Sequence, residues 1–91
     1  MAQQAGQLVQ VYNQPMEGVY SQGWSAQVLG ERQGTGIEVY VVGDGKLGDF
    51  FGVISVDCTN PQFSRWLAIG GYVTTDSVPV EAIRGIRRLA C

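Results

Sequence analysis

The sequence predicts a mainly β fold, a small antiparallel barrel of five or six strands. Three observations predict it. Short segments of alternating apolar and polar residues recur along the chain. Turn signals separate them at the spacing of small β-barrels and sandwiches. Thirteen glycines stand against three prolines in 91 residues, a composition of many turns and few long helices.

Gln7 to Asn13 (QLVQVYN) alternates in part and reads as a first strand. Asn13 to Gly23 is polar, holds Pro15 and Gly18, and reads as a loop. Trp24 to Gly30 (WSAQVLG) alternates fully: Trp24, Ala26 and Val28 share one face, Ser25 and Gln27 the other. Glu31 to Gly36 is turn chemistry. Ile37 to Val42 (IEVYVV) is β-branched, with Ile37, Val39 and Val41 inward and Glu38 and Tyr40 outward. Phe50 to Asp57 puts Phe50, Ile54 and Val56 on one side, and Gly52 within it marks a bulge or a sharp bend.

Asn60-Pro61 changes the rhythm. Asn60 suits an N-cap, Pro61 a first helical position, and Phe63, Trp66 and Leu67 recur at helical spacing. A short helical insertion near 61–67 is expected, followed by strand composition from Ile69 to Thr75. The tail, Asp76 to Cys91, admits two readings. Ser77 and Glu81 suit a helix start, and Arg84, Arg87 and Arg88 its end. Gly85 costs ~1 kcal/mol inside a helix, which favours a single helical turn at Pro79 to Ile83 and a final strand from Gly85 to Ala90.

The whole reads as a single domain, residues 7–91, behind a mobile Gln-rich arm, residues 1–6. The hydrophobic fraction of 45% against 15% charged residues excludes a disordered, charge-rich chain. The net charge of −2 disfavours coating of nucleic acid, which calls for a basic excess. No segment approaches the ~20 apolar residues of a membrane-spanning helix. The first residues show no secretory leader, and neither end carries a lipidation signal, so a cytoplasmic location is expected. On that footing Cys58 and Cys91 read as reduced thiols, Cys58 buried and inert.

Little in the chain advertises chemistry. Gly43-Asp44-Gly45-Lys46-Leu47-Gly48 has the spacing of a dinucleotide-binding loop. That loop needs a helix after it, whose N-terminus faces the pyrophosphate. The next segment is Phe50 to Val56, which has the composition of a strand. P-loop spacing fails as well, with Tyr40 five before Gly45 and Leu47 after Lys46. The segment therefore reads as a turn between antiparallel strands, with no cofactor expected. There is no histidine, so triad and Cys-His nucleophile systems are absent and no catalytic residue is assigned. Two thiols alone do not close a zinc site, and Asp44 and Asp49 lack the spacing of a calcium loop, so no metal is expected.

Aromatic residues carry more of the functional signal. Trp24 belongs to the core face of its strand. Tyr40 and Phe51 fall opposite their strands' apolar neighbours, which predicts a binding surface or a subunit interface. Tyr20, Trp66 and Tyr72 join them as candidate surface residues, with Trp66 placed to lid a groove or plug a barrel end. Arg84, Arg87 and Arg88 are half of the six basic residues and the candidate contacts for an anion or nucleic acid. In a strand they pair with carboxylates on neighbouring strands or across a subunit interface; in a helix they form one cationic stripe.

Two segments resemble plasmid-borne type II dihydrofolate reductases, which are SH3-like barrels. Trp24-Ser25-Ala26-Gln27-Val28-Leu29-Gly30 is similar to that family's W-x-G-Q-I-V-G strand, and Pro79-Val80-Glu81-Ala82-Ile83-Arg84-Gly85-Ile86 to its closing P-V-x-A-L-x-x-I. Together they cover about a sixth of the chain. The resemblance implies an SH3-like barrel and a site at a symmetry axis. The family's pore strand V-Q-I-Y precedes the closing proline; here Thr75, Asp76, Ser77 and Val78 stand there, and the Asn60 to Gly71 region is added. Thr74-Thr75-Asp76 with Ser77-Val78-Pro79-Val80 resembles gyrase-poisoning plasmid toxins, whose long final helix with an exposed Trp this chain is read as lacking. The expected function is a non-catalytic binding or adaptor module acting as a homo-oligomer. The alternatives are an oligomeric enzyme with its site on a symmetry axis, and a nucleic-acid-binding accessory protein.

Overall fold

In a computed structural model that describes residues 7–32, 36–60 and 64–91, five strands run in chain order, each antiparallel to the one before. They are β1 (Val9–Pro15), β2 (Ser21–Arg32), β3 (Gly36–Gly45), β4 (Phe50–Val56) and β5 (Arg65–Gly71). A 3-10 turn (Thr75–Ser77) leads into one helix, α1 (Val80–Ala90), which packs on the first three strands. The mainly β antiparallel expectation holds. The sheet is open: β1 and β5 are its two ends, so the closure that a barrel requires is not seen. The expected arm at 1–6 lies outside the described residues.

Alternation puts the core where the sequence placed it. Trp24, Ala26, Val28, Val39, Val41, Phe50, Ile54 and Val56 are buried on one face. Ile37, expected inward, is half-buried and packs against them. The core has two halves. On one side α1 lays Ala82, Ile86 and Ala90 onto the sheet. On the other, Trp24, Phe50 and Trp66 form an edge-to-face ladder with ring centroids 5.8 and 5.2 Å apart.

The tail corrects the favoured reading. Residues Val80–Ala90 are one continuous helix, with Pro79 as N-cap rather than Ser77, and no final strand follows Gly85. Gly85 itself explains the outcome. A Cβ there would lie 2.8 Å from the carbonyl oxygen of Val11 and 2.9 Å from its Cβ. Glycine lets the helix backbone touch β1, and tertiary packing outweighs its propensity cost of about 1 kcal/mol.

The helix expected near 61–67 is also corrected. Residues 61–63 lie outside the described residues, but Arg65, Trp66 and Leu67 belong to β5. Val53 pairs with Ala68 and Ile54 with Trp66, so Leu67 is an extra residue. That bulge breaks the two-residue period and leaves a spacing that imitates a helix. The strand ends at Gly71 (φ 93°), not Thr75. The loop expected over Asn13 to Gly23 shrinks, because β1 runs to Pro15 and β2 starts at Ser21. The turn expected at Glu31 to Gly36 gives up Glu31 and Arg32 to β2 and Gly36 to β3; positions 33–35 lie outside the described residues.

The thiols are not free. Cys58 and Cys91 form a disulfide, and both residues are exposed. The bond ties the C-cap of α1 to the turn after β4. Arg87 reinforces the tie, donating from Nη1 to the Asp57 carbonyl at 2.7 Å and from Nη2 to the Cys58 carbonyl at 3.3 Å.

Candidate functional site

Strands β3 and β4 are antiparallel neighbours, as expected, but the turn between them is shorter than its composition predicts: Gly43, Asp44 and Gly45 are the last residues of β3, and residues 46–49 make the connection. Its amides are turned into the protein. Lys46 donates to the Ser21 carbonyl at 3.0 Å, Leu47 to Gln22 Oε1 at 2.9 Å, and Gly48 to the Gly45 carbonyl at 3.1 Å. Gln22 completes the clasp by donating from Nε2 to the Gly48 carbonyl at 2.9 Å. A phosphate cradle needs those N–H groups aimed at solvent. Here three successive ones are consumed, and the Lys46 ammonium rests 4.3 Å from the centre of the Tyr20 ring.

Gln22 is a residue that the sequence reading missed. It is fully buried and holds both ends of its amide in the turn. The signal was available: Gln22 is two residues before Trp24 and shares its inward phase. Polar and buried is a demanding combination, and both hydrogen bonds are needed to satisfy it.

The outer face of the sheet is different. Register places Tyr40 opposite Val53, and Val53 opposite Ala68. The next row is Val42, Phe51 and Gly70. Large side chains on β3 and β4 thus meet small ones on β5. The mismatch leaves an apolar recess of about 250 Å³ lined by Tyr40, Phe51, Val53, Ala68, Ile69 and Gly70. Phe51 is 44% exposed and Ile69 60% exposed. The two aromatics singled out by alternation are therefore on neighbouring strands and line one recess.

The other candidates scatter. Trp66 points to the opposite face, against Phe50 and over Gly52, where a Cβ would lie 2.9 Å from its ring. It fills the core instead of lidding a groove. Tyr20 sits beside the turn under Lys46. Tyr72, 89% exposed, follows the end of β5 near Gly48.

The arginines separate too. All three are on α1 and not on the expected final strand, so the cross-strand pairing predicted for them does not arise. Arg87 is spent on backbone carbonyls, while Arg84 and Arg88 are exposed. Arg88 lines a second recess, about 300 Å³, with Val9, Gln10, Val11, Gly85 and Leu89. Among the described residues no three His, Cys, Asp or Glu side chains group as metal ligands. No described helix is long and apolar enough to cross a membrane.

Compared with protein-family models, with curated proteins and with solved structures, the chain matches none.

Proposed function

We propose that this chain is a non-catalytic binding or adaptor module that works as a small homo-oligomer and holds an apolar group on its outer sheet face. The observation that carries this reading is the recess built by Tyr40, Phe51 and Val53 against the small residues of β5. An open apolar patch is costly for a monomer to keep and is characteristic of interaction surfaces. The absence of histidine from the sequence supports a binding role over acid-base or nucleophilic catalysis.

The SH3-like relationship is a proposal about ancestry, on the two short segments alone. It is not extended to reductase activity, because Thr75 to Val78 replace the pore residues. The arginines favour a nucleic-acid role less than a complete stripe would, since Arg87 is already engaged. The disulfide supports an oxidising compartment over the cytoplasm.

The test uses an environment-sensitive apolar dye, anilinonaphthalene sulfonate, together with light scattering. The wild type is expected to be oligomeric and to bind the dye saturably, and Phe51→Asp to lose the dye. A monomeric wild type whose dye fluorescence is unchanged by Phe51→Asp contradicts the proposal.

A further inference from the structure

We infer that two copies of this chain join edge to edge through β5, antiparallel and two-fold symmetric about a point near Ala68, so that their outer-face recesses meet across the axis. This rests on the reading that the chain self-associates, and it names the surface and the geometry.

Among the described residues, strand β5 lacks the usual protection of an edge. Natural edge strands are blunted by charges, proline, or a covering helix. In β5, Arg65 is the only charged residue, there is no proline, and α1 packs instead on β1, β2 and β3. Leu67 and Ile69 are exposed, and all but one residue of the strand is exposed. Among the described residues the Arg65 charge and the Leu67 bulge are the blunting features, and both precede Ala68 to Gly71, which pair with β4 without interruption. The free backbone edge of that stretch offers the donors and acceptors that a second strand would take.

Charge complementarity points the same way. Arg65 opens β5, and Asp49 stands at the other end: its carbonyl oxygen accepts from the amide of Tyr72, just past Gly71. Both side chains are exposed, and neither has an ion-pair partner among the described residues. Antiparallel pairing of two β5 strands carries the partner's Arg65 to the Asp49 end of this chain. Symmetry repeats the pair at the other end, so one self-complementary surface makes both.

The recess gives the pairing a consequence. Its β5 wall is Ala68, Ile69 and Gly70, on the last strand of the sheet, so on that side it opens to solvent. A second β5 would supply the missing wall. Two shallow recesses, each about 250 Å³, then become one continuous apolar trough across the axis. The proposed binding site is incomplete in one copy and complete in two.

Engineered cysteine at Ala68 tests this directly. Cys58 and Cys91 are paired, so Ala68→Cys introduces the sole free thiol. Mild oxidation is expected to give a covalent dimer, with two thiols losing two protons and two electrons to the added oxidant, oxidised glutathione. Exposed Ala68 makes the variant safe for folding, and Ala68→Ser controls for it. In parallel, Arg65→Glu and Asp49→Lys are each expected to weaken dimerisation about tenfold, and the double variant to restore most of it. A dimer by light scattering that neither cross-links at Ala68 nor responds to the charge swap overturns the edge-to-edge geometry and leaves the oligomeric reading standing. A monomeric wild type overturns both.

Discussion

The two edges of the sheet are built on opposite plans. At β1 the strand is interrupted by a register shift between Gln10 and Tyr12, ends on Pro15, and is capped by α1 through the Gly85–Val11 contact. At β5 no helix among the described residues covers the edge, and Leu67, Ala68, Ile69 and Gly70 are exposed in succession. Both edges present unpaired backbone, so the difference is one of protection. It shows that α1 is spent on one half of the sheet. The other half is closed underneath by the Trp24, Phe50 and Trp66 rings, and its edge and outer face stay available.

The clasp that holds α1 over the β1 half is the place to break this contrast most severely. Cys58 and Cys91 are 33 residues apart, and chain-entropy arguments give such a cross-link roughly 3–4 kcal/mol. Cys58→Ser is expected to lower unfolding free energy by about that amount, measured in guanidinium at equal ionic strength. Arg87 should retain part of the docking, so helix content in the far ultraviolet should survive the substitution. A change below ~1 kcal/mol would show that α1 is held by packing and Arg87 alone.

The next largest effect probes the covered edge itself. Gly85→Val pushes two methyl groups into the Val11 backbone and is expected to cost roughly 2–3 kcal/mol. It should also raise aggregation by uncovering β1. Gly85→Ala sharpens the point: improved helix propensity of ~1 kcal/mol opposes the same clash, and the net is expected to be destabilising. A stabilised Gly85→Ala protein would mean that the helix has room to move off β1.

Gln22→Met leaves the Leu47 amide and the Gly48 carbonyl without their partner, for a loss of roughly 1–3 kcal/mol. Amide exchange of Leu47 should quicken while that of Val39 and Val41 does not.

The core face and the outward aromatics were legible in the sequence; the two elements that set the edges apart, α1 and β5, were not, and the misses have physical causes. Trp24, Ala26 and Val28 declared the core face of β2 through strict alternation, and Phe50 with Ile54 and Val56 declared that of β4. Tyr40 and Phe51 were placed outward by the same rule, and the structure puts them beside one recess. The helix was misread at Gly85, because propensity is a local quantity and the contact that overrides it comes from a strand 74 positions away, at Val11. β5 was misread because the Leu67 bulge erased its period. The disulfide was hidden by the assumption that chains without a visible leader keep their thiols reduced. Nothing in the spacing of Cys58 and Cys91 could say that a helix would bring them to a Cα separation of 5.7 Å. Trp66 was picked out as an aromatic landmark but placed on a helical turn, because its strand was not recognised; in β5 it packs against Phe50.

The smallest expected effect on stability carries the largest expected effect on assembly. Lysine at exposed Val9 on β1 and at exposed Ile69 on β5 are matched changes at the two edges, each expected to alter stability by no more than ~0.5 kcal/mol. Light scattering of the two variants beside the wild type, across a dilution series, compares the edges directly. Unequal protection of the edges predicts an oligomer for the wild type and for Val9→Lys, and a monomer for Ile69→Lys. Equal dissociation by both lysines, or an Ile69→Lys protein that remains oligomeric, would contradict it.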